Sequence, residues 1–421
     1  MKEKLFSTGI MFYSADDRTR YTITMKIHCI EPVVEECLKQ AVIKVSERYP
    51  YMMVRVKKSF NGLWLEDNKL PFVVKQGHIS PPIGSEEANY HLIVFTWEDD
   101  CIMIHTFHGL LDGVGLNKIF KTLMFYYAQI RYGVELDPAG INTAGEKITE
   151  EEYKEPYPRR KPSRKLEPMA KTPRFVKALK VCTKSTDGSS DQYIYGIKVP
   201  KGSLNGVMRG LDVSPAPFLG IVMADAILTI HPDSGRDISV GVPINLRPAL
   251  NADKYCRNLI SILHIVYDGK IRNMPVHNRC TAVRGRIFLQ SDRDSVLKEL
   301  DFQRKVYSLI SHVPFYGLKR FISKRAVAFN MNDETFETSY TGKARFGEME
   351  KYYNGLEVLV DMCGMNMLVE MFLLGDTYTI TIMQRCRDDR YFDAFIKQLK
   401  GYGVQIGEVS CEKLTVPELG F

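Results

Sequence analysis

His108, Asp112 and Gly113 stand in the order His-x-x-x-Asp-Gly at the end of an apolar run that begins at Cys101. An imidazole is neutral and basic near pH 7, so a histidine at the mouth of a strand can serve as a general base. The aspartate has two possible tasks. It can cap the helix that follows, or it can pair with an arginine that holds the turn; neither makes it the proton acceptor. Gly109, Gly113 and Gly115 keep side chains away from backbone that must turn sharply or approach a ligand. Side chains alternate faces along a strand. This alternation puts His105 with Met103 and Phe107, and His108 with Ile102, Ile104 and Thr106. We read His105 as a packing or hydrogen-bonding histidine and His108 as the candidate base.

A second constellation lies in the other half of the chain. Val242-Pro-Ile-Asn245-Leu-Arg247-Pro leaves an apolar strand and offers an amide and a guanidinium at its end. A cleft between two halves of the molecule would bring such groups to face the histidine turn.

The elements needed to position these groups can be read from periodicity. Residues 20–29 alternate as a half-buried strand. Over 31–48, Val33, Val34, Cys37, Leu38, Ala41, Val42 and Val45 recur at helical spacing until Pro50 stops them. Short strands are expected at 52–56, 62–65 and 72–75, then a hairpin of 92–97 with 101–108, then a helix over 116–132. The second half restarts with a strand at 193–199, helices at 203–210 and 215–230, and strands at 238–243 and 259–267. A long helical stretch over 275–311, interrupted near 290–292, precedes strands at 335–340, 357–360, 367–373 and 378–384 and a last helix at 388–402. Mixed strands and helices in both halves indicate an α+β fold in two lobes. The expected division is a first lobe at 1–136, a connector at 137–190 and a second lobe at 191–421.

Composition narrows the class further. A chain of 421 residues suits two lobes of about 150–200 residues each. Its 45% apolar and 25% charged residues are those of a folded protein. The longest nearly apolar run, 217–230, contains Asp225 and is too short for a bilayer. No transmembrane segment or signal peptide is expected. The nine cysteines stand singly with no CxxC pair, so neither a disulfide framework nor a structural zinc is expected, and a reducing cytoplasm is the default. Ten Lys and Arg against Glu167 alone fall between 158 and 184, so a proline-containing connector carries +9 and the rest of the chain about −2, for a net charge of +7. Nucleic-acid binding needs a basic folded face with motif support and is not expected. The basic stretch reads as a solvated linker, or as a docking strip for an acidic partner or anionic membrane.

Taken together, these motifs resemble the acyltransferase superfamily containing chloramphenicol acetyltransferase, the plant His-x-x-x-Asp acyltransferases and non-ribosomal condensation domains. The chain is most similar to the bacterial alcohol acetyltransferase-like branch. The resemblance is carried by Glu47-Arg48-Tyr49-Pro50, Phe107-His108-Gly-Leu-Leu-Asp112-Gly113, Val242 to Arg247, Cys256-Arg257-Asn258, Val313-Pro314 and the segment from Arg387 to Val404.

That resemblance implies two lobes forming a V, with His108 in a tunnel, a thioester entering one mouth and an acceptor the other. It implies a structural Asp112 bound to an arginine, for which Arg247 is the candidate. The expected activity is transfer of an acyl group to a hydroxyl or amine, with His108 as base. No covalent acyl-enzyme is expected, since no Gly-x-Ser-x-Gly elbow exists and no cysteine has a recognisable partner. No cofactor or metal would be permanently bound. The co-substrate would be acyl-CoA, or a phosphopantetheine-linked acyl group on an acyl carrier protein met by residues 158–184. Asn245, Ser339 and Thr341 are candidates for touching substrate.

Three departures bear on this. Phe107 replaces the histidine that condensation domains carry before the catalytic one. Ser339-Tyr340-Thr341-Gly342 replaces the Ser-Asn-Leu-Gly of the bacterial branch, and the plant Asp-Phe-Gly-Trp-Gly signature is missing. A non-catalytic binding protein that kept the fold is the competing reading. One chain with two lobes makes a monomer sufficient.

Overall fold

The computed structural model describes residues 2–5, 9–156, 177–184, 191–331, 334–343, 346–361 and 365–421. In chain order the first part carries β1 (Lys2–Lys4), α1 (Gly9–Ser14), β2 (Thr22–Cys29), α2 (Glu35–Arg48), β3 (Val54–Ser59) and β4 (Gly62–Asp67). It continues with β5 (Val74–Gln76), β6 (Ile93–Glu98), β7 (Cys101–Phe107) and α3 (Gly113–Tyr132). Next come β8 (Tyr193–Pro200), α4 (Lys201–Gly210), α5 (Pro215–Ile230), β9 (Ile238–Asn245), α6 (Arg247–Leu250) and β10 (Ile260–Tyr267). Four helices follow: α7 (Gly269–Arg272), α8 (Val276–Ser291), α9 (Arg293–His312) and α10 (Tyr316–Met331). The last elements are β11 (Phe336–Lys343), β12 (Tyr353–Val360), β13 (Met367–Leu374), β14 (Thr377–Gln384), α11 (Asp389–Gly401) and β15 (Val409–Lys413).

Two mixed sheets organise the molecule. The first runs β12-β2-β7-β6-β5, antiparallel except for the parallel β5–β6 pair. All of β7 is buried. Ile102 and Ile104 share one core with Leu38, Ala41, Val42 and Val45 of α2 and Leu116, Ile119, Phe120 and Leu123 of α3. The second sheet runs β10-β9-β11-β13-β14-β8-β15, with β11 parallel to both its neighbours. Its core side meets α5 and α11. Nearly every residue of α5 from Pro217 to Ile227 is buried there, so the apolar run read from the sequence is a core helix. Among the described residues, no single helix is long and apolar enough to cross a membrane.

The α+β class matches the sequence reading, but the halves are not contiguous. β12 belongs by sequence to the expected second lobe, yet it pairs with β2 over Tyr353–Val360 and completes the first sheet. Leu356 and Val358, together with Ile310 and Met349, sit in the first core. Alternation alone fits β12 to either sheet, and long-range pairing decided it.

The connector is also not wholly a linker. Thr122 Oγ1 donates to Asn142 O at 2.7 Å, and the Glu152 carboxylate accepts from Arg48 at 2.7 Å and from Tyr51 at 2.8 Å. Residues 137–156 are thereby tied to the first sheet's helices. Leu179, Val181 and Cys182 join the second core. Of the basic stretch 158–184, residues 158–176 lie outside the described residues.

Candidate active site

β7 ends at Phe107, one residue earlier than alternation suggests, and His108 begins the turn into α3. Its backbone N–H donates to Tyr21 O at 2.6 Å. Tyr21 adopts a positive φ of 50°, a conformation that costs a bulky residue on the order of 1–3 kcal/mol. The buried Asp361 at the end of β12 offsets that cost, its Oδ2 accepting from Arg20 N at 2.6 Å and Tyr21 N at 3.1 Å.

The His108 ring is half-buried. Nδ1 lies 3.0 Å from Leu111 O, which can only accept, so Nδ1 carries the proton and Nε2 keeps its lone pair. Asn258 Nδ2 donates to the His108 carbonyl at 2.7 Å and passes 3.1 Å from Nδ1. Asn258 N also donates to Leu110 O at 3.0 Å. Burial lowers the imidazole pKa, opposed by hydrogen bonds to backbone and by the Asp112 charge. The ring is therefore neutral at pH 7, with Nε2 ready to accept.

Asp112 performs both tasks the sequence left open. Its Oδ1 caps α3 by accepting from Gly115 N at 2.7 Å. It also binds Arg247 in a two-point contact, Nη1 to Oδ2 at 2.8 Å and Nη2 to Oδ1 at 3.0 Å, and Oδ2 accepts from Leu259 N at 2.8 Å. Both partners are fully buried. The other guanidinium donors are used as well: Nε to Tyr255 O at 2.7 Å, Nη2 to Arg257 O at 2.7 Å and Nη1 to Asn245 Oδ1 at 3.1 Å. A buried pair of this kind is tolerable because no donor is left over. Gly115 makes the approach possible, since a Cβ there would sit 1.8 Å from Cys256 O.

Two of the other candidates, Asn245 and Thr341, adjoin the same junction. Asn245 is exposed at the end of β9, and its Oδ1 accepts from the Arg247 backbone and side chain at 3.1 Å each. A Cβ on Gly113 would come within 3.4 Å of Thr341 Cγ2, which brings β11 against the start of α3. The Thr341 hydroxyl and N–H both donate to Glu370 Oε1. Glu370 is buried; desolvation pushes its pKa up to about 7 against hydrogen bonds from Thr341 and Ser339. Glu337, also buried, is pushed up for the same reason. Gly342, at φ 104° beside the register shift in β11, bends the Ser339–Gly342 segment. Phe107 is a core residue, its ring 4.8 Å from Phe12 and 5.2 Å from Phe421.

Sequence reasoning missed Asn258, Asp361 and Glu370. Asn258 stood in a matching segment without a role, Asp361 acts across 340 residues on Tyr21, and Glu370 acts from the neighbouring strand on Thr341, neither with a local motif. A separate polar cavity of about 1010 Å³ is lined by Arg18, Arg20, Ser80, Asp361, Arg385 and Lys413 among others. His108 is not on its wall, although Arg20 and Asp361 adjoin the Tyr21 contact to His108.

No protein-family model matches the chain, and no curated protein matches it in sequence. Solved structures match in fold. TRI101 of F. sporotrichioides, crystallised with coenzyme A and T-2, gives a TM-score of 0.59 at 11% identity over 98% of this chain and 99% of that one. Polyketide synthase associated protein 5 from Mycobacterium tuberculosis gives 0.62 at 11% identity over 94% and 97%. The condensation domain of the Monacolin K polyketide synthase MokA gives 0.55 at 12% identity over 96% of each chain. What is shared at these identities is the fold: the two-lobed chloramphenicol acetyltransferase-like architecture expected from the sequence.

Proposed function

We propose that this chain is an acyltransferase in which His108 Nε2 acts as the general base. The observation that carries the proposal is the committed Nδ1 at Leu111 O, which leaves Nε2 as the one free lone pair on a neutral, half-buried ring. Nε2 takes the proton of an acceptor hydroxyl or amine as that group attacks a thioester carbonyl. The tetrahedral intermediate collapses, the carbon–sulfur bond breaks, and the imidazolium returns its proton to the departing thiolate. No acyl-enzyme forms. Asp112 and Arg247 fix the turn and the start of α3, Asn258 positions the ring, and neither Asp112 nor Arg247 takes a proton. The donor is acyl-CoA, in keeping with the coenzyme A in TRI101. Asn245, Ser339 and Thr341 line the acceptor side, with Glu370 setting the orientation of Thr341.

The test is direct. Purified protein is offered a panel of acyl-CoAs, with and without alcohols and amines, and free thiol is measured. Acceptor-dependent thiol release supports the reading. Absence of release with every donor and acceptor pair favours a non-catalytic binding protein. Release only with carrier-protein-bound donors would replace acyl-CoA by a phosphopantetheine arm.

A further inference from the structure

The corner between α9 and α10 presents large apolar side chains to solvent. Leu309 is 72% exposed, Phe315 49%, Leu318 43% and Phe321 58%. Phe60, at the tip of the β3–β4 hairpin, is 74% exposed, and its ring meets that of Phe315 at 5.0 Å. Tyr316 N donates to Phe60 O at 2.8 Å, which fastens the hairpin tip to the start of α10. On α10, Tyr316, Lys319, Ser323 and Val327 turn inward, while Leu318, Phe321 and Arg325 share the opposite, solvent side. Phe315 adopts a φ of 63° just ahead of the helix, a costly conformation for a bulky residue that gains little burial by it.

Along the chain at this corner the charge has one sign. Residues 302–331 contain six Lys and Arg and no Asp or Glu. Lys58 Nζ lies 4.2 Å above the Tyr316 ring, Arg325 stands 5.5 Å from the Phe321 ring, and Arg320 Nη1 donates to Tyr316 OH at 3.0 Å. These cations rest on aromatic groups rather than on carboxylates, so their charge is not cancelled locally. Lys324, by contrast, pairs with Asp16. An exposed apolar cluster ringed by uncancelled cations has the chemistry of an interfacial surface. Aromatic and aliphatic side chains enter the boundary between headgroups and acyl chains, while lysine and arginine meet anionic headgroups.

We propose that the α9–α10 corner and the β3–β4 tip form a docking surface for an anionic lipid bilayer, on which the protein sits peripherally. The inference stands on this surface alone and is independent of the acyl-transfer reading. Charge complementarity selects the bilayer over a second copy of the chain, because two such surfaces face to face would oppose cation to cation.

The experiment is co-sedimentation of the full chain with vesicles of phosphatidylcholine alone and of phosphatidylcholine mixed with phosphatidylglycerol. Binding is expected with the mixed vesicles, much less with phosphatidylcholine alone, and it should fall as salt is raised. The triple variant Lys58→Gln, Arg320→Gln, Arg325→Gln should lower partitioning on the order of a hundredfold. The triple variant Phe60→Ser, Leu318→Ser, Phe321→Ser should abolish it, with unchanged thermal unfolding and unchanged turnover of soluble substrates. Three results would overturn the proposal: failure to bind mixed vesicles at low salt, binding retained in both variants, which would place it elsewhere (the 158–184 stretch included), or a concentration-dependent dimer that the apolar variant dissolves.

Discussion

His105 and His108 lie three residues apart on one run of chain, yet they occupy opposite chemical situations. In the middle of β7, His105 is pinned from both sides, Nδ1 to Thr24 Oγ1 and Nε2 to Thr96 Oγ1, each at 2.8 Å. Both nitrogens are spent on hydroxyls that can donate or accept. Burial lowers the ring's pKa to about 3. At the strand's exit, His108 has one nitrogen spent and one free. A histidine becomes useful through what its second nitrogen lacks, and the strand end supplies that lack.

The largest effect should come from removing the free nitrogen. His108→Ala is expected to reduce acceptor-dependent thiol release by about 10²–10⁴-fold, with a thermal midpoint close to wild type. In the intact protein, burial places the acid limb of kcat/KM below the ordinary histidine value near 6.5, and a limb above that value would contradict the assigned environment. If His105→Gln abolished turnover as thoroughly as His108→Ala, the contrast between the two rings would fail.

Next in size is the anchor of the exit turn. Arg247→Met strands a buried Asp112 carboxylate and should destabilise the fold by about 3–5 kcal/mol, read from denaturant midpoints. A surface-like loss of a few tenths would mean that water reaches the pair.

His105 offers a sharper test through pH. Folded, it stays neutral down to about pH 3; unfolded, it takes a proton below about 6.5. The unfolded chain binds the extra proton between those values, so His105 withdraws stability as pH falls through that window, roughly 2 kcal/mol by pH 5. Stability followed against pH should fall less steeply in His105→Gln than in wild type. Identical slopes would show that the mid-strand ring is not sealed.

The smallest effect belongs to Asn258→Ala. It loses the bond to the His108 carbonyl, worth about 1–2 kcal/mol, and should lower kcat with little change in KM. A change confined to KM would move Asn258 from positioning the ring to binding substrate.

Apolar patterning made most of the fold legible, because α2 buries a regular stripe and β7 and α5 are apolar runs buried almost throughout. It missed α10, whose apolar residues are split between the core and solvent, so no single face stands out. It grouped β12 with the expected second lobe and gave it no partner, since an alternating strand does not encode one. At the site, His108, Asp112 and Arg247 were readable from types, spacing and resemblance. Asp361 and Glu370 were not, because the meaning of each lies in its contact with another strand or turn that no local spacing encodes.

The pairing of β12 with β2 also sets a timetable. A nascent chain cannot close its first sheet until residue 360 has left the ribosome, so β2 waits with one edge unpaired while the segments that follow it are made. Fragments cut between α3 and β8 should therefore behave poorly apart and complement one another when co-expressed.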